Sequence, residues 1–201
     1  MKKNLKNCVV WCLTILARLT LKKYKPKIIA ITGNIGKTST KDAIYSVLAG
    51  KIHVRASDKS FNSEFGVPLT ILGEDTGWGS ALLWIKIIFR NTVTLFKKLD
   101  YPEVLVLEVG ADHKNDIKNI TKWLKPDITV VTQFQKVPVH IENFSSREEL
   151  IQEKGFLVKA TKKNGLVIYT SDDHDSHELA KTAHCETKSF GFENWSDIKA
   201  D

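Results

Sequence analysis

One short segment constrains the fold of this chain more than any other. A buried strand is predicted from Ile28 to Ile31 and a helix from about Thr38 to Leu48. Between them lie residues 32–38, which read Thr-Gly-Asn-Ile-Gly-Lys-Thr. A glycine-containing loop in this position turns its backbone N–H groups towards an anion, and the helix N-terminus adds the positive end of its dipole. The segment therefore predicts a phosphate-binding strand–loop–helix unit.

The side chains of this loop indicate which phosphates it would bind. Lys37 would neutralise the β- and γ-phosphates of a nucleotide, and Thr38 would place its hydroxyl on Mg²⁺. We therefore expect ATP and Mg²⁺ as cofactors, and the alternative is an ordinary glycine turn before a helix. The expected nucleotide-binding residues of the loop are Gly33, Asn34, Gly36, Lys37, Thr38 and Ser39.

Strands and helices alternate along the rest of the chain. Further strands are predicted at Val104–Val109, Ile128–Val131 and Gly165–Tyr169, with helices at Asp116–Leu124 and residues 147–160. This alternation predicts an α/β fold with a mostly parallel sheet and flanking helices. We expect a basic apolar helix over residues 1–27, followed by one nucleotide-binding domain over residues 28–201 with an amphipathic helix inserted at about residues 78–99.

The positive charge of the chain is concentrated at its beginning. The net charge is +7, but residues 1–27 hold eight Lys or Arg and no acid, which leaves 22 basic against 23 acidic residues in the rest. A nucleic-acid-binding face would repeat through the folded part. We therefore expect no nucleic-acid partner. The cysteines Cys8, Cys12 and Cys185 form no metal-binding or disulfide pattern, which fits a protein of the reducing cytoplasm.

Two segments combine apolar and basic residues. Residues 8–17 are almost wholly apolar and are too short to cross a membrane. In residues 78–99 the bases Lys86, Arg90 and Lys97 are predicted to share one helical face. For both segments we leave two alternatives open: a helix in the membrane interface, or a helix packed on its own domain. An anionic membrane, contacted peripherally at its inner face, is therefore one expected partner.

The spacing of the phosphate loop is typical of one family. The usual phosphate loop has four residues between its glycines, whereas here only Asn34 and Ile35 separate Gly33 from Gly36. Residues 31–41 resemble the loop of the Mur ligases and of the related folylpolyglutamate synthases.

Four more segments carry the resemblance in the expected order. Residues 62–70 resemble the Asn-Asn-Glu-Ile-Gly-Val-Pro segment of the D-alanyl-D-alanine-adding members, which points away from the folate enzymes. Residues 107–113 are similar to Glu-Met-Gly-Ala-Asn-His, residues 139–146 to Ala-His-Leu-Glu-Gly-Phe-Gly-Ser, and residues 153–155 to Ala-Lys-Gly-Glu. The resemblance covers about residues 28–175, with a weaker similarity at residues 190–201.

The resemblance implies a metal site and catalytic residues. Thr38, Glu108 and His140 would bind Mg²⁺. Lys154 matches a lysine that these ligases carry as a carbamate, an anion that supports a second Mg²⁺. Together with Lys37, His140 and Lys154 are the expected catalytic residues.

The resemblance also adds nucleotide contacts, and it is imperfect. Asn62 and Glu64 would join the nucleotide-binding residues. Residues 171–173 resemble an Asn-x-Asp-Asp turn near the adenine but lack its leading Asn. Other departures from the family pattern are Ser63, Asp112, Asn143, Ser145 and Phe156.

The family's activity is the expected function. ATP would activate the carboxylate of a UDP-linked muramoyl peptide as an acyl phosphate, which the amine of D-alanyl-D-alanine would attack. About 27 residues precede the first strand, so we expect an incomplete ligase that lacks the uridine-nucleotide-binding domain and the C-terminal domain and does not ligate alone. The alternatives are a membrane-associated nucleotide-binding protein without ligase activity and a kinase with a phosphate loop.

Overall fold

A computed structural model describes residues 3–57, 61–77, 80–135 and 141–199. The strands are β1 (Lys27–Thr32), β2 (Val54–Ala56), β3 (Val104–Glu108), β4 (Ile128–Val131), β5 (Leu166–Thr170), β6 (Glu186–Gly191) and β7 (Ile198–Lys199). The α-helices are α1 (Lys3–Tyr24), α2 (Lys37–Ala49), α3 (Gly66–Leu72), α4 (Ala81–Leu95), α5 (Asp116–Thr121), α6 (Arg147–Ala160) and α7 (His174–Ala180), and a single 3₁₀ turn spans Ile141–Asn143 in the described part.

Within the described residues the strands form one sheet in the order β2-β3-β1-β4-β5-β6-β7, and all pairings are parallel. The predicted α/β class with a parallel sheet is therefore confirmed. The chain leaves β1, forms β2 and β3 on one side, and then crosses to β4 on the other side. Such a reversal of strand order opens a crevice at the carboxyl ends of the strands, where ligands of this architecture bind.

The two faces of the sheet bury different layers. Ile28 and Ala30 of β1 belong to a core with residues of α1, α3, α5 and α6. Ile31 of β1 faces the other side and packs with Ile44 and Leu48 of α2. Strands that are buried on both faces must be apolar nearly throughout. This explains why β1, β3 and β4 are the strands that the sequence predicts most clearly.

Helix α1 packs on its own domain through one face. Val9 and Leu13 are buried against Leu69 of α3 and against Trp84 and Ile87 of α4. The opposite face of α1 is exposed. The buried face of α1 thus matches the second of the two alternatives, a helix packed on its own domain. The exposed face takes no part in this packing. None of the described helices combines the length and the hydrophobicity that a membrane span requires.

The amphipathic helix is shorter than the sequence predicts. Helix α4 ends at Leu95, so Lys97 lies beyond it and the prediction that Lys97 shares a helical face with Lys86 and Arg90 is wrong. Arg90 forms an ion pair with the buried carboxylate of Glu74. Asn91 donates a second hydrogen bond to Glu74 at 2.6 Å. These contacts fix α4 to the turn that precedes it.

Candidate functional site

The loop between β1 and α2 requires its glycines. Gly33 has a φ of 132°, and a Cβ atom there would lie 2.1 Å from Oγ1 of Thr132. Gly36 has a φ of 81° and occupies the N-cap of α2. Only glycine adopts such dihedral angles without steric cost. The glycines therefore let the loop pass closely over the end of β4 and turn into the helix.

The loop is anchored to the neighbouring strand and leaves polar atoms available. The N–H groups of Asn34 and Ile35 donate to the carbonyl oxygen of Gln133 at 3.0 and 3.1 Å. Oγ1 of Thr32 and Oδ1 of Asn34 are buried and have no hydrogen-bond partner among the described residues. Buried polar atoms nearly always have a partner. These two atoms are therefore suited to a ligand or to water that the ligand orders.

Three predicted residues converge beside the loop. Thr38, in the first turn of α2, donates from Oγ1 to Oε2 of Glu108 at 2.9 Å. Asn62 donates from Nδ2 to Oε1 of the same carboxylate at 3.3 Å. Glu108 ends β3 and is only 2% exposed. We call these three residues the Thr38–Asn62–Glu108 cluster. The parallel sheet forms it, because the carboxyl ends of β1 and β3 lie side by side.

The cluster fits Mg²⁺ bound with a nucleotide. Mg²⁺ prefers hard oxygen ligands and is usually held by one or two carboxylates together with substrate phosphates. Thr38 offers a hydroxyl oxygen and Glu108 a carboxylate oxygen next to the phosphate loop. The described residues contain no group of three or more His, Cys, Asp or Glu side chains arranged for a metal. The hydroxyl and carboxylate oxygens of the cluster, completed by phosphate oxygens, match the ligand preference of Mg²⁺.

The loop that carries Asn62 is held from two sides. The N–H of Gly110 donates to the carbonyl oxygen of Asn62 at 2.8 Å, and a Cβ on Gly110 would lie 3.1 Å from the Asn62 side chain. The buried amine of Lys41 donates to the carbonyl oxygen of Ser57, near the start of the same loop. The contact with Gly110 helps to position Asn62 against Glu108. The residue pattern gives no sign of a role for Lys41, and its burial is the feature that identifies it.

Two lysines of the site are electrostatic neighbours. Lys37 donates from Nζ to the carbonyl oxygen of Asn34 at 3.1 Å. Burial lowers the pKa of Lys37, although Glu108 and Asp112 oppose this change. The two carboxylates favour the cationic form of Lys37, which is the form that binds phosphate oxygens.

Lys154 lies in α6 and is almost completely buried, with 4% of its surface exposed. Burial and the nearby charge of Lys37 lower its pKa to about 7, against the opposing effect of Asp112 and Glu153. Lys37, Lys154 and Asp112 are therefore electrostatic neighbours. In the sequence Asp112 stands out only as a departure from the family pattern, and its place in the matched segment 107–113 is the signal that marks it.

Three other predicted residues are not brought into the cluster. Glu64 forms an ion pair with Lys6 of α1 at 2.8 Å, on the surface. Ser39 is exposed in the first turn of α2. His140 lies outside the described residues.

A cleft of about 720 Å³ continues from the loop across the ends of β4 and β5. Its lining includes Ile35, Phe134, Arg147 and Asp173. Arg147 is held by an ion pair with Asp175. Asp173 accepts a hydrogen bond from the N–H of Phe134 at 3.2 Å and caps α7 by accepting one from Ser176. The carboxylate of Asp173 thus ties the turn at residues 171–173 to the segment after β4 and to α7.

Comparisons with known proteins agree with this geometry. A family model described as the Mur ligase middle domain matches residues 89–201. The chain is 29% identical over 185 residues to a UDP-N-acetylmuramoyl-tripeptide--D-alanyl-D-alanine ligase from Bacillus subtilis. It is 33% identical over 173 residues to a protein of the same name from Mycobacterium bovis. These alignments cover 92% and 86% of this chain but 34% and 29% of the relatives.

Solved structures show the same relationship. A MurF ligase from Thermotoga maritima in complex with ADP matches with a TM-score of 0.69 and 27% identity, over 92% of this chain and 37% of that chain. A complex of FPGS with AMPPCP matches over 89% of this chain and 49% of that chain with a TM-score of 0.55 and 17% identity, which supports the fold alone. The chain spans about a third of the length of the curated relatives that it matches.

Proposed function

The chain belongs to the Mur ligase family, and from this premise we propose that it supplies the ATP and Mg²⁺ site of an amide-forming ligase. The observation that carries the proposal is the Thr38–Asn62–Glu108 cluster beside a glycine loop with a lysine at its end. A hydroxyl and a carboxylate in hydrogen-bond contact at a phosphate loop are the groups that Mg-ATP requires. The ADP complex of the Thermotoga relative supports the nucleotide part.

We propose the substrates from the names of the relatives. The carboxylate of a UDP-linked muramoyl tripeptide would attack the γ-phosphorus of ATP, and ADP would leave. The amine of D-alanyl-D-alanine would then attack the acyl carbon, forming the amide and releasing phosphate. If ADP release by the protein required a folate and L-glutamate instead of these two substrates, this assignment would be wrong.

The residues of this chain would act by position and charge. Lys37 would hold the β- and γ-phosphates and stabilise the charge on the transferred group, which is where electrostatic catalysis acts. Thr38 and Glu108 would hold Mg²⁺, which when bound neutralises phosphate charge, and Asn62 would orient Glu108. His140 stays a proposed metal ligand outside the described residues. Bringing carboxylate, nucleotide and amine together would remove much of the entropic barrier.

Lys154 would contribute a negative charge to the same site. Its pKa of about 7 means that a large fraction of the amine is neutral near physiological pH. A neutral amine adds to carbon dioxide to give a carbamate and one released proton. A carbamate at Lys154 would place an anion opposite Lys37 and Mg²⁺, whereas an ammonium there would repel both. Burial therefore supports the proposed modification.

The cleft at Arg147 and Asp173 is the proposed place of the adenosine. It adjoins the phosphate loop through Ile35 and lies over the carboxyl ends of the strands. A volume of about 720 Å³ falls in the range of small-molecule sites.

The experiment that tests this proposal is a calorimetric titration of the full chain with Mg-ATP. Lys37→Ala removes the cation that contacts the phosphates, so we expect the affinity for Mg-ATP to fall at least tenfold, or about 1.4 kcal/mol. Lys163→Ala is the matched control, because Lys163 is exposed and lies beyond the opposite ends of the strands. Equal affinities of the two variants and the unchanged protein would reject the proposed site.

We also propose that the protein is cytoplasmic and contacts the inner face of the membrane peripherally. The supporting observation is the basic and outwardly apolar α1, in which Trp11 is 65% exposed. This contact is compatible with ligase activity, and the comparisons do not favour a membrane-bound protein without such activity.

A further inference from the structure

A basic pocket lies at the amino ends of the strands, away from the nucleotide site. It has a volume of about 800 Å³ and lies between the second half of α1, the start of β1 and the segment after α5. Its cationic lining residues are Arg18, Lys22, Lys25, Lys122, Lys125 and Lys162. No carboxylate is among the described residues that line it. We call it the basic pocket.

The cations of the basic pocket differ in how far they are already neutralised. Lys162 forms an ion pair with Asp127 at 2.9 Å. Lys122 and Lys125 donate to an amide oxygen and a carbonyl oxygen, so both keep their charge uncompensated. Arg18, Lys22 and Lys25 are exposed and form no ion pair with any described residue. The pocket therefore has a strong positive potential and suits an anion.

An exposed apolar stripe leads into this pocket. Trp11, Ile15 and Leu19 recur every four residues on α1, on the face opposite the buried Val9 and Leu13. Ile15 and Leu19 also line the pocket, as does the indole of Trp123. Trp11 and Leu19 are 65% and 45% exposed. Apolar side chains and unpaired cations thus adjoin along one helix.

Helix α4, which packs against α1 through the buried faces of both helices, also exposes apolar side chains. Leu82, Ile85 and Phe89 of α4 follow helical spacing and are 79%, 62% and 70% exposed. Helices α1 and α4 lie side by side, and Lys23 of α1 donates a hydrogen bond to the carbonyl oxygen of Leu95 of α4 at 2.9 Å. Exposed apolar surface of this extent on a folded domain marks a site of interaction.

We propose that the basic pocket binds the phosphate headgroup of an anionic phospholipid, while the stripe on α1 enters the interfacial region of the membrane. The inference rests on the peripheral membrane contact proposed above and names its binding site. A lipid surface offers anionic phosphate and hydrocarbon together, which matches the paired cations and apolar side chains. A nucleic acid would satisfy the cations but leave Trp11, Leu19 and the α4 side chains exposed to water.

The headgroup site and the nucleotide site lie at opposite ends of β1. Pro26 and Ile28 line the basic pocket, whereas the phosphate loop follows Thr32. A strand of six residues separates the two ends by about 20 Å. Membrane binding would thus leave the nucleotide site open to the cytoplasm, and each site can be tested without the other.

The test is flotation of the full chain with vesicles of phosphatidylcholine alone or mixed in equal parts with phosphatidylglycerol. We expect binding to the mixed vesicles that weakens at high salt, and little binding to phosphatidylcholine. Each basic residue near an anionic surface contributes about fivefold in affinity. The triple change Arg18→Gln, Lys22→Gln, Lys25→Gln should therefore reduce affinity about a hundredfold. Trp11→Ser, which leaves the charge unchanged, should reduce it about tenfold.

The matched control is the triple change Lys51→Gln, Lys188→Gln, Lys199→Gln. These exposed lysines lie outside the basic pocket, and their substitution removes the same net charge. Equal binding of the two triple variants would overturn the headgroup site, as would failure of the unchanged protein to bind the mixed vesicles. Binding to an oligonucleotide in place of vesicles would also overturn it. Mg-ATP titration of the same samples separates the two proposals, since an unchanged protein that binds Mg-ATP but not the mixed vesicles rejects the membrane contact and its headgroup site and leaves the nucleotide site standing.

Discussion

At the scale of single residues, burial determines what the lysines of the site can do. The carboxylates of Glu108 and Asp112 lie near Lys37 and favour its cationic form. Lys154 is buried with another cation nearby, and its pKa falls to about 7. Desolvation and a like charge both disfavour the ammonium form. This contrast supports the proposed roles of Lys37 as a phosphate ligand and of Lys154 as a site of covalent modification.

Carbamylation of Lys154 should depend on pH in a way that exposed lysines do not share. The neutral amine is the reactive form, so at a fixed pressure of carbon dioxide the carbamate should increase as the pH rises through about 7. Exposed lysines have a pKa of about 10.4 and stay protonated in this range. The measurement is ¹³C NMR with labelled carbon dioxide. Lys154→Ala should remove the carbamate signal and Lys159→Ala should keep it, and the reverse pattern would contradict the account.

The residue types of the site were readable from the sequence, but their arrangement was not. Thr38, Asn62 and Glu108 were predicted from the loop and from the family resemblance, and the structure brings them together. The pairing of Glu64 with Lys6 could not be predicted, because it depends on where α1 lies. The burial of Lys41 could not be predicted either, since a lysine in an amphipathic helix is ordinarily exposed.

At the scale of elements, the sequence predicted those whose pattern is local. Strands β1, β3 and β4 are continuous apolar runs, and α2 and α6 begin and end close to their predicted bounds. Helix α3 was missed because its residues Gly66 to Ile71 are all buried, which removes the polar face of a helical pattern. Strand β2 has only three residues and forms at the edge beside β3. Both elements exist because of tertiary packing.

Asp127 ties elements at the amino ends of the strands, and this gives a prediction for stability. Its carboxylate accepts a hydrogen bond from the N–H of Ile28 at 3.0 Å and pairs with Lys162. Burial alone would raise the pKa of Asp127, but the hydrogen bonds from Lys162 and Ile28 and the charges of Lys162 and Lys27 hold it below its ordinary value. The ionised form is therefore bound more strongly in the folded state than in the unfolded state.

Asp127→Asn should lower the free energy of unfolding at pH 7 by about 1–2 kcal/mol. Because the folded pKa is depressed, this contribution is present above the unfolded pKa of about 3.9 and is lost as the pH falls through the folded value. Urea denaturation at pH 7 and at pH 3 measures the difference, which should shrink in acid. Asp75→Asn is the control, since Asp75 is exposed. A difference that stayed constant with pH would show that the charge of Asp127 is not the cause.

At the scale of the whole molecule, the parallel sheet assigns different chemistry to its two ends. The carboxyl ends gather the phosphate loop, the Thr38–Asn62–Glu108 cluster and the adjoining cleft. The amino ends carry the basic pocket. Alternation of strands and helices predicted which edge of the sheet carries the first site, because parallel strands end at the same edge, but not the contacts within that site. The second could not be predicted, since it depends on how α1 packs across the sheet.

The measurement that tests the central claim most directly is the position of the metal in crystals of this chain grown with Mn²⁺ and ADP. Mn²⁺ replaces Mg²⁺ and is located by its anomalous scattering. The account predicts a single strong peak beside the β-phosphate, about 2.1 Å from Oγ1 of Thr38 and bound by Glu108 directly or through a water. A nucleotide bound away from the loop between Gly33 and Thr38, or a metal in contact with neither Thr38 nor Glu108, would contradict it.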